Sequence, residues 1–105
     1  MRQFDVFENP TVVQREGFPF LVVLQSDHFD QFTTRFVMPL ARGKLFTRAL
    51  PRRLSQTVQV KGEALYPAAH LCGTLPARVL KKPVSSLRAE ARVLMDALDA
   101  VVSGV

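Results

Sequence analysis

Hydrophobic periodicity changes once along this chain, and the change limits the fold more than any other feature. Up to about residue 80 the apolar residues come in short strand-like segments separated by turn signals. From 85 to 103 they follow one helical period, with Leu87, Ala91, Leu94, Leu98 and Val101 three or four apart. Gln3-Phe4-Asp5-Val6-Phe7 alternates like a half-buried strand until Asn9-Pro10 breaks it. The second strand, 18–25, carries Phe20-Leu21-Val22-Val23-Leu24, apolar on both faces, which predicts a central strand covered on two sides. Residues 33–40 form a third strand with Pro39 near its end. Strand 56–60 turns at Lys61-Gly62 into a partner over 63–71, where Pro67 points to an edge or a bulge. A last short strand is expected over 78–80. Residues 41–54 fit either a helical turn or strand pieces around Pro51. Strands followed by one helix make an α+β fold.

Pro83 precedes the helix, Ser85 or Ser86 can cap its first turn, and Gly104 stands where a left-handed C-cap belongs. The helix is expected to run to Ser103-Gly104-Val105, which would put its final side chains and a terminal carboxylate within reach of a partner. A length of 105 residues suits a single domain, 1–105. With 48% hydrophobic residues and eight Phe, a packed core is feasible without disulfides. No apolar run approaches the roughly 18 residues a membrane span needs, and the N-terminus lacks a signal-peptide pattern. These features predict a soluble cytoplasmic protein with no membrane association. The single cysteine, Cys72, excludes an internal disulfide and gives no metal-ligand spacing.

The sequence offers little for catalysis. There is no glycine-rich phosphate loop, and the two histidines, His28 and His70, are far apart. Cys72 and His70 share a face if their segment is a strand, but a lone cysteine is more often a small core residue. Asp27, His28 and Asp30 follow a strand closely and can form a binding rim, or simply serve turn chemistry. No cofactor or metal is called for. Between residues 31 and 55 lie Arg35, Arg42, Lys44, Arg48, Arg52 and Arg53 with no acid, within a net charge of +5. That run suits an acidic partner or a solvated face. Sparse aromatics there argue against sequence-specific nucleic-acid binding.

Several of these segments, in order and spacing, resemble the CcdB toxins of bacterial toxin–antitoxin modules. They are Gln3-Phe4-x-Val6-Phe7, Val22-Val23-Leu24-Gln25-Ser26-Asp27, Arg35-Phe36-Val37-Met38-Pro39-Leu40-Ala41, Leu65-Tyr66-Pro67-x-x-His70 and the Gly104-Val105 ending. The resemblance implies a strongly bent antiparallel sheet of the SH3-like barrel type, a minor sheet and a C-terminal α-helix. It further implies a homodimer that binds the A subunit of DNA gyrase and traps its cleaved-DNA complex without being an enzyme. A cognate antitoxin with an acidic, disordered tail would remove it. The gyrase-binding residues implied are Gly104, Val105, Ser26 and Asp27.

The chain departs from the family at several of these positions. Ser103 stands where the family carries Trp, Val102 where it carries Phe, and Asp99 where it carries Asn. His28 and Phe29 replace two Ile. Loss of the Trp anchor predicts weak or absent poisoning of gyrase. Two alternatives accompany the toxin reading. One is a degenerate, non-toxic homologue that keeps antitoxin binding. The other is an endoribonuclease on the same barrel, as in the MazF and Kid toxins, with Arg35 and the 42–53 basic run as its candidate residues.

Overall fold

The computed structural model of the protein describes residues 1–43 and 52–104, apart from the side chain of Leu54. The described strands are β1 (Asp5–Glu8), β2 (Phe20–Val23), β3 (Thr34–Ala41), β4 (Val58–Val60), β5 (Glu63–Pro67), β6 (Gly73–Pro76) and β7 (Ser85–Ser86). The helices are α1 (Arg52–Ser55) and α2 (Ala91–Ser103). The strands join in the order β4-β5-β3-β2-β1-β7, with β6 also on β3, and form a nearly closed, barrel-like antiparallel sheet. The expected α+β architecture with a C-terminal helix is what the chain adopts.

β3 is the hub, and Pro39 explains how it serves two partners on one side. β2 lies along its other edge, with Leu21 opposite Pro39. On the near side β6 pairs from Thr34 to Val37, and β5 pairs only at Leu40 and Ala41. Pro39 has no N–H to offer, so the handover falls where a ladder bond cannot form. Its carbonyl still accepts from the Ala68 N–H at 2.8 Å. The β4–β5 hairpin turns on Lys61 (φ 51°) and Gly62 (φ 81°), the two left-handed residues of a type I′ turn, as Lys61-Gly62 predicts.

The two-sided apolar run on β2 is accounted for by two cores. Val22 and Leu24 join Phe4, Val6, Met38, Leu40, Leu65, Leu87 and Leu94 inside the barrel and under α2. Leu21 and Val23 face the opposite way, onto Phe7, Val37 and Leu80. Alternate residues of one strand therefore feed separate clusters.

Several local expectations are corrected. The first strand begins at Asp5 because Phe4 adopts φ 70°. That turn aims the Phe4 N–H at the Val23 carbonyl, 2.7 Å away, and its carbonyl at the Leu87 N–H, 2.8 Å away. β1 is also buried on both faces at Val6 and Phe7, not half-buried. Ser85 and Ser86 lie outside α2, although Ser86 accepts the Arg88 N–H at 3.3 Å and so opens the 3-10 turn that leads into the helix. They form β7 on β1, and a 3-10 turn over Arg88–Glu90 precedes the helix. The Val84 and Leu87 N–H groups bond to β1-side carbonyls, so this backbone is committed to the sheet. Residues 78–80 are not a strand. Ala77–Val79 is a 3-10 turn that tucks Leu80 into the second core, and the strand is β6 just before it. β5 stops at Pro67, and Ala69–Leu71 is another 3-10 turn. Of the ambiguous 41–54 stretch, Arg52–Ser55 is helical and residues 44–51 lie outside the described residues.

α2 meets the core through Leu94, Ala97 and Ala100, while Val101, predicted in the stripe, is 40% exposed. The small alanines let the helix lie close to α1 and the Ala69–Leu71 turn. Among the described residues, no helix is long and apolar enough to cross a membrane.

Candidate functional site

The end of α2 is built from its backbone outward. Gly104 takes φ 76° and donates its N–H to the Ala100 carbonyl at 3.0 Å, closing the helix with a left-handed cap. A Cβ at Gly104 would meet no atom within 4 Å, so glycine serves the backbone angle and not a close approach. Ser103 turns its hydroxyl back to donate to the Asp99 carbonyl at 2.7 Å. The apolar side chains presented here are Val101 and Val102, the latter 77% exposed. Arg53 of α1 donates to Asp99 at 2.6 Å and lies 3.9 Å from Asp96, pinning the last turns from outside. Val105, assigned to the site on sequence, lies outside the described residues.

The second part of the site is the loop after β2. Ser26 accepts the His28 N–H at 3.2 Å and so opens a 3-10 turn over Asp27–Phe29. Asp27 accepts the Gln3 N–H at 2.7 Å and lies 4.0 Å from Arg88. The Asp27 carboxylate thus ties the loop to the N-terminal segment, and the turn itself is closed by the Asp30 N–H donating to the Asp27 carbonyl at 3.2 Å. Arg35, buried at 8%, holds the rest of the loop from beneath. Its guanidinium donates to the carbonyls of Asp30, Phe32 and Thr34. Gln25 bridges in the same way, donating to the Phe29 carbonyl at 2.8 Å and accepting the Phe36 N–H at 3.1 Å.

This scaffold displays an aromatic pair that residue-by-residue reading missed. Phe29 and Phe32 are each about half exposed and stack at 5.6 Å between centroids with a 46° tilt. The signal was available, since a spacing of three residues brings side chains together in a 3-10 turn.

Ser26 and Asp27 sit by Arg88, ahead of α2, whereas Gly104 ends it. Thirteen residues of helix rise about 20 Å. Within one copy, the two sets of sequence-predicted residues are thus approached from opposite ends of the helix.

The other chemical candidates resolve into structural roles. Cys72 packs against the main core, and burial pushes its thiol up to about 11, which keeps it protonated at neutral pH. Its neighbour His70 is exposed in the Ala69–Leu71 turn. Among the described residues, no cluster of three or more His, Cys, Asp or Glu could hold a metal ion. Three of the four described members of the basic run are engaged within the fold. Arg35 serves the loop, and Arg53 holds α2. Arg42 grips Glu63 at 2.6 and 3.3 Å and donates to the Glu16 carbonyl at 2.9 Å. That bidentate bond raises the Arg42 guanidinium and lowers the Glu63 carboxyl from their ordinary values. Arg52 is exposed, while Lys44 and Arg48 lie outside the described residues.

The described residues can therefore present exposed apolar groups at the end of α2 and on the Phe29–Phe32 loop, with Arg53, Arg35 and Gln25 bonded to the surrounding structure. No curated protein matches it. A family model described as CcdB protein matches residues 3–104.

Proposed function

The chain belongs to the CcdB family of toxin–antitoxin toxins, and from that premise we propose that it is a protein-binding toxin directed at the A subunit of DNA gyrase. It works by occupancy, holding its target in a state that the target would otherwise leave. Residues 1–105 act as one domain, and two copies pair around a two-fold axis, so each contact patch is presented twice. A cognate antitoxin with an acidic, disordered tail removes the toxin from its target.

The observation that carries this reading is the exposed apolar end of α2, closed by a left-handed cap. Val101 and Val102 stand exposed on a helix capped by Gly104 and fastened by Arg53. We assign gyrase contact to Gly104, Val105, Ser26 and Asp27, and add the neighbouring Phe29–Phe32 pair as the larger apolar area. Ser103 supplies no aromatic anchor, and its hydroxyl bonds back to its own helix. Poisoning is therefore weaker than in a relative with Trp at this position.

The bond from Ser103 to Asp99 also favours a second reading, a non-toxic homologue that retains antitoxin binding. An endoribonuclease is disfavoured, because Arg35, Arg42 and Arg53 all hold other groups of the fold. The test is gyrase supercoiling and cleavage with purified protein, beside an RNA-cleavage assay. Inhibition that appears only at high protein concentration supports the toxin reading. Absence of any gyrase A binding, with antitoxin binding intact, replaces it with the non-toxic one. RNA cleavage abolished by changes in the basic run would overturn both.

A further inference from the structure

β1 has unequal partners on its two edges. Along β2 it pairs as far as Glu8, opposite Phe20. Along β7 the pairing ends at Val6, opposite Ser85. The Val6 carbonyl accepts the Val84 N–H at 2.8 Å on that side. Residues two apart in an antiparallel strand direct their backbone groups to the same edge. The N–H and carbonyl of Glu8 therefore face the side where β7 has already ended.

Beside this open edge is a groove of 220 Å³ whose lining includes Phe7, Val79 and Val84 below and Arg15, Lys81 and Lys82 around the rim. Three cations thus meet one carboxylate, Glu8, which lies 3.4 Å from Arg15. Lys81 makes a long 3.5 Å bond to the Arg78 carbonyl, and Lys82 has no hydrogen bond or ion pair among the described residues. The volume is below the roughly 300 Å³ at which small-molecule pockets begin, and fits one or two side chains. Phe7 is only 2% exposed, so no aromatic face is offered to a nucleic-acid base.

We propose that the Glu8 edge of β1 is a docking site for an extended acidic segment of a protein partner, which adds as a short strand. Its backbone meets Glu8, its apolar side chains lie over Val79 and Val84, and its carboxylates meet Lys81 and Lys82, since Arg15 is already engaged by Glu8 and the Asn9 carbonyl. Backbone bonds supply affinity and the basic rim supplies selection. This rests on the reading that the partner is an antitoxin with an acidic tail, and gives that tail a surface separate from the end of α2. The competing physical role for Lys81 and Lys82 is to shield an open edge against pairing with other strands.

The test uses the full chain and a labelled peptide of about six residues, ordinary strand length, alternating Glu and Val with blocked ends. A Lys–Val peptide and a single-stranded oligonucleotide serve as comparators. The Glu–Val peptide should bind, slow exchange of the Glu8 amide, and lose roughly tenfold in affinity when Lys81→Glu and Lys82→Glu are combined. Both lysines are exposed, so the variant should unfold at the temperature of the parent. Binding without Glu8 protection, equal binding to the double variant, or preference for the oligonucleotide overturns the assignment. Co-expression with a cognate antitoxin separates the two claims. If neutralisation works while the peptide fails, only the edge site falls; if the peptide binds as expected but no antitoxin neutralises the chain, the toxin reading falls and the edge site stands.

Discussion

Arg53 Nη2 lies 2.6 Å from Asp99 Oδ2 and joins α1 to the last turns of α2, the part of the helix that presents Val101 and Val102. The ion pair is solvent-exposed, so its importance is positional more than energetic. Arg53→Ala should leave the melting temperature nearly unchanged but speed amide exchange from Ala100 to Gly104. Hydrogen exchange followed by NMR measures this directly. Exchange equal to the parent's would mean that the helix end is held by the core alone.

Arg35 makes the opposite case, since a buried guanidinium that satisfies three carbonyls cannot be removed cheaply. Arg35→Ala should destabilise the chain by about 2–4 kcal/mol, because buried acceptors lose charge-assisted bonds. Arg35→Lys should recover only part of this, since an ammonium lacks the planar fork. Thermal unfolding gives the stability, and loss of the Phe29–Phe32 ring contact in NMR spectra reports the loop. A fully stable Arg35→Ala protein would show that the loop is held by Gln25 and the Ser26 turn.

The Arg42–Glu63 bond gives a pH dependence with a definite sign. The bond holds the Glu63 carboxyl below the ordinary glutamate value in the folded protein. A depressed folded value means that the contribution is present above the unfolded value, about 4.3, and is lost as pH falls through the folded one. Carbon-detected titration of Glu63 should give a midpoint below that of Arg42→Ala, where the carboxyl returns toward normal. Coincident midpoints in the two proteins would mean that the pair is not formed in solution.

What was legible in the sequence follows from how local each signal is. The two positive-φ residues of the Lys61-Gly62 turn, the two-sided burial of β2 and the left-handed cap at Gly104 depend on neighbouring residues, and all are realised. The errors arose where a distant partner took over the backbone. Ser85 and Ser86 read as the start of the helix until β1 claims their backbone, which leaves Ser86 to cap only the 3-10 turn ahead of α2. Val101 fits the helical stripe but is 40% exposed, while Ala97 and Ala100 are buried. The candidate site was proposed as positions, Ser26, Asp27 and Gly104, through family resemblance alone. Its supports could not be read, because Arg35 and Arg53 appear in the sequence only as members of a basic run. A run of like charge does not reveal which members face inward.

Ser103 and Gly104 allow anchor and cap to be tested separately. Gly104→Ala forces a Cβ into a left-handed backbone with free space around it, so the cost, about 1 kcal/mol, is conformational and local. It should fray the helix end and weaken gyrase A binding modestly without changing the fold. Ser103→Trp acts through area instead. It removes the back-bond to the Asp99 carbonyl and adds an exposed indole beside Val102. An interfacial Trp contributes about 2 kcal/mol, so gyrase A affinity should rise roughly thirtyfold. Cleaved-complex trapping should then appear at correspondingly lower concentration. Combining the two substitutions should give most of that gain with a frayed end, because the anchor depends less on the cap than on the turns pinned by Arg53. If Ser103→Trp leaves both affinity and trapping unchanged, the end of α2 is not the gyrase contact, and the Phe29–Phe32 loop becomes the surface to mutate.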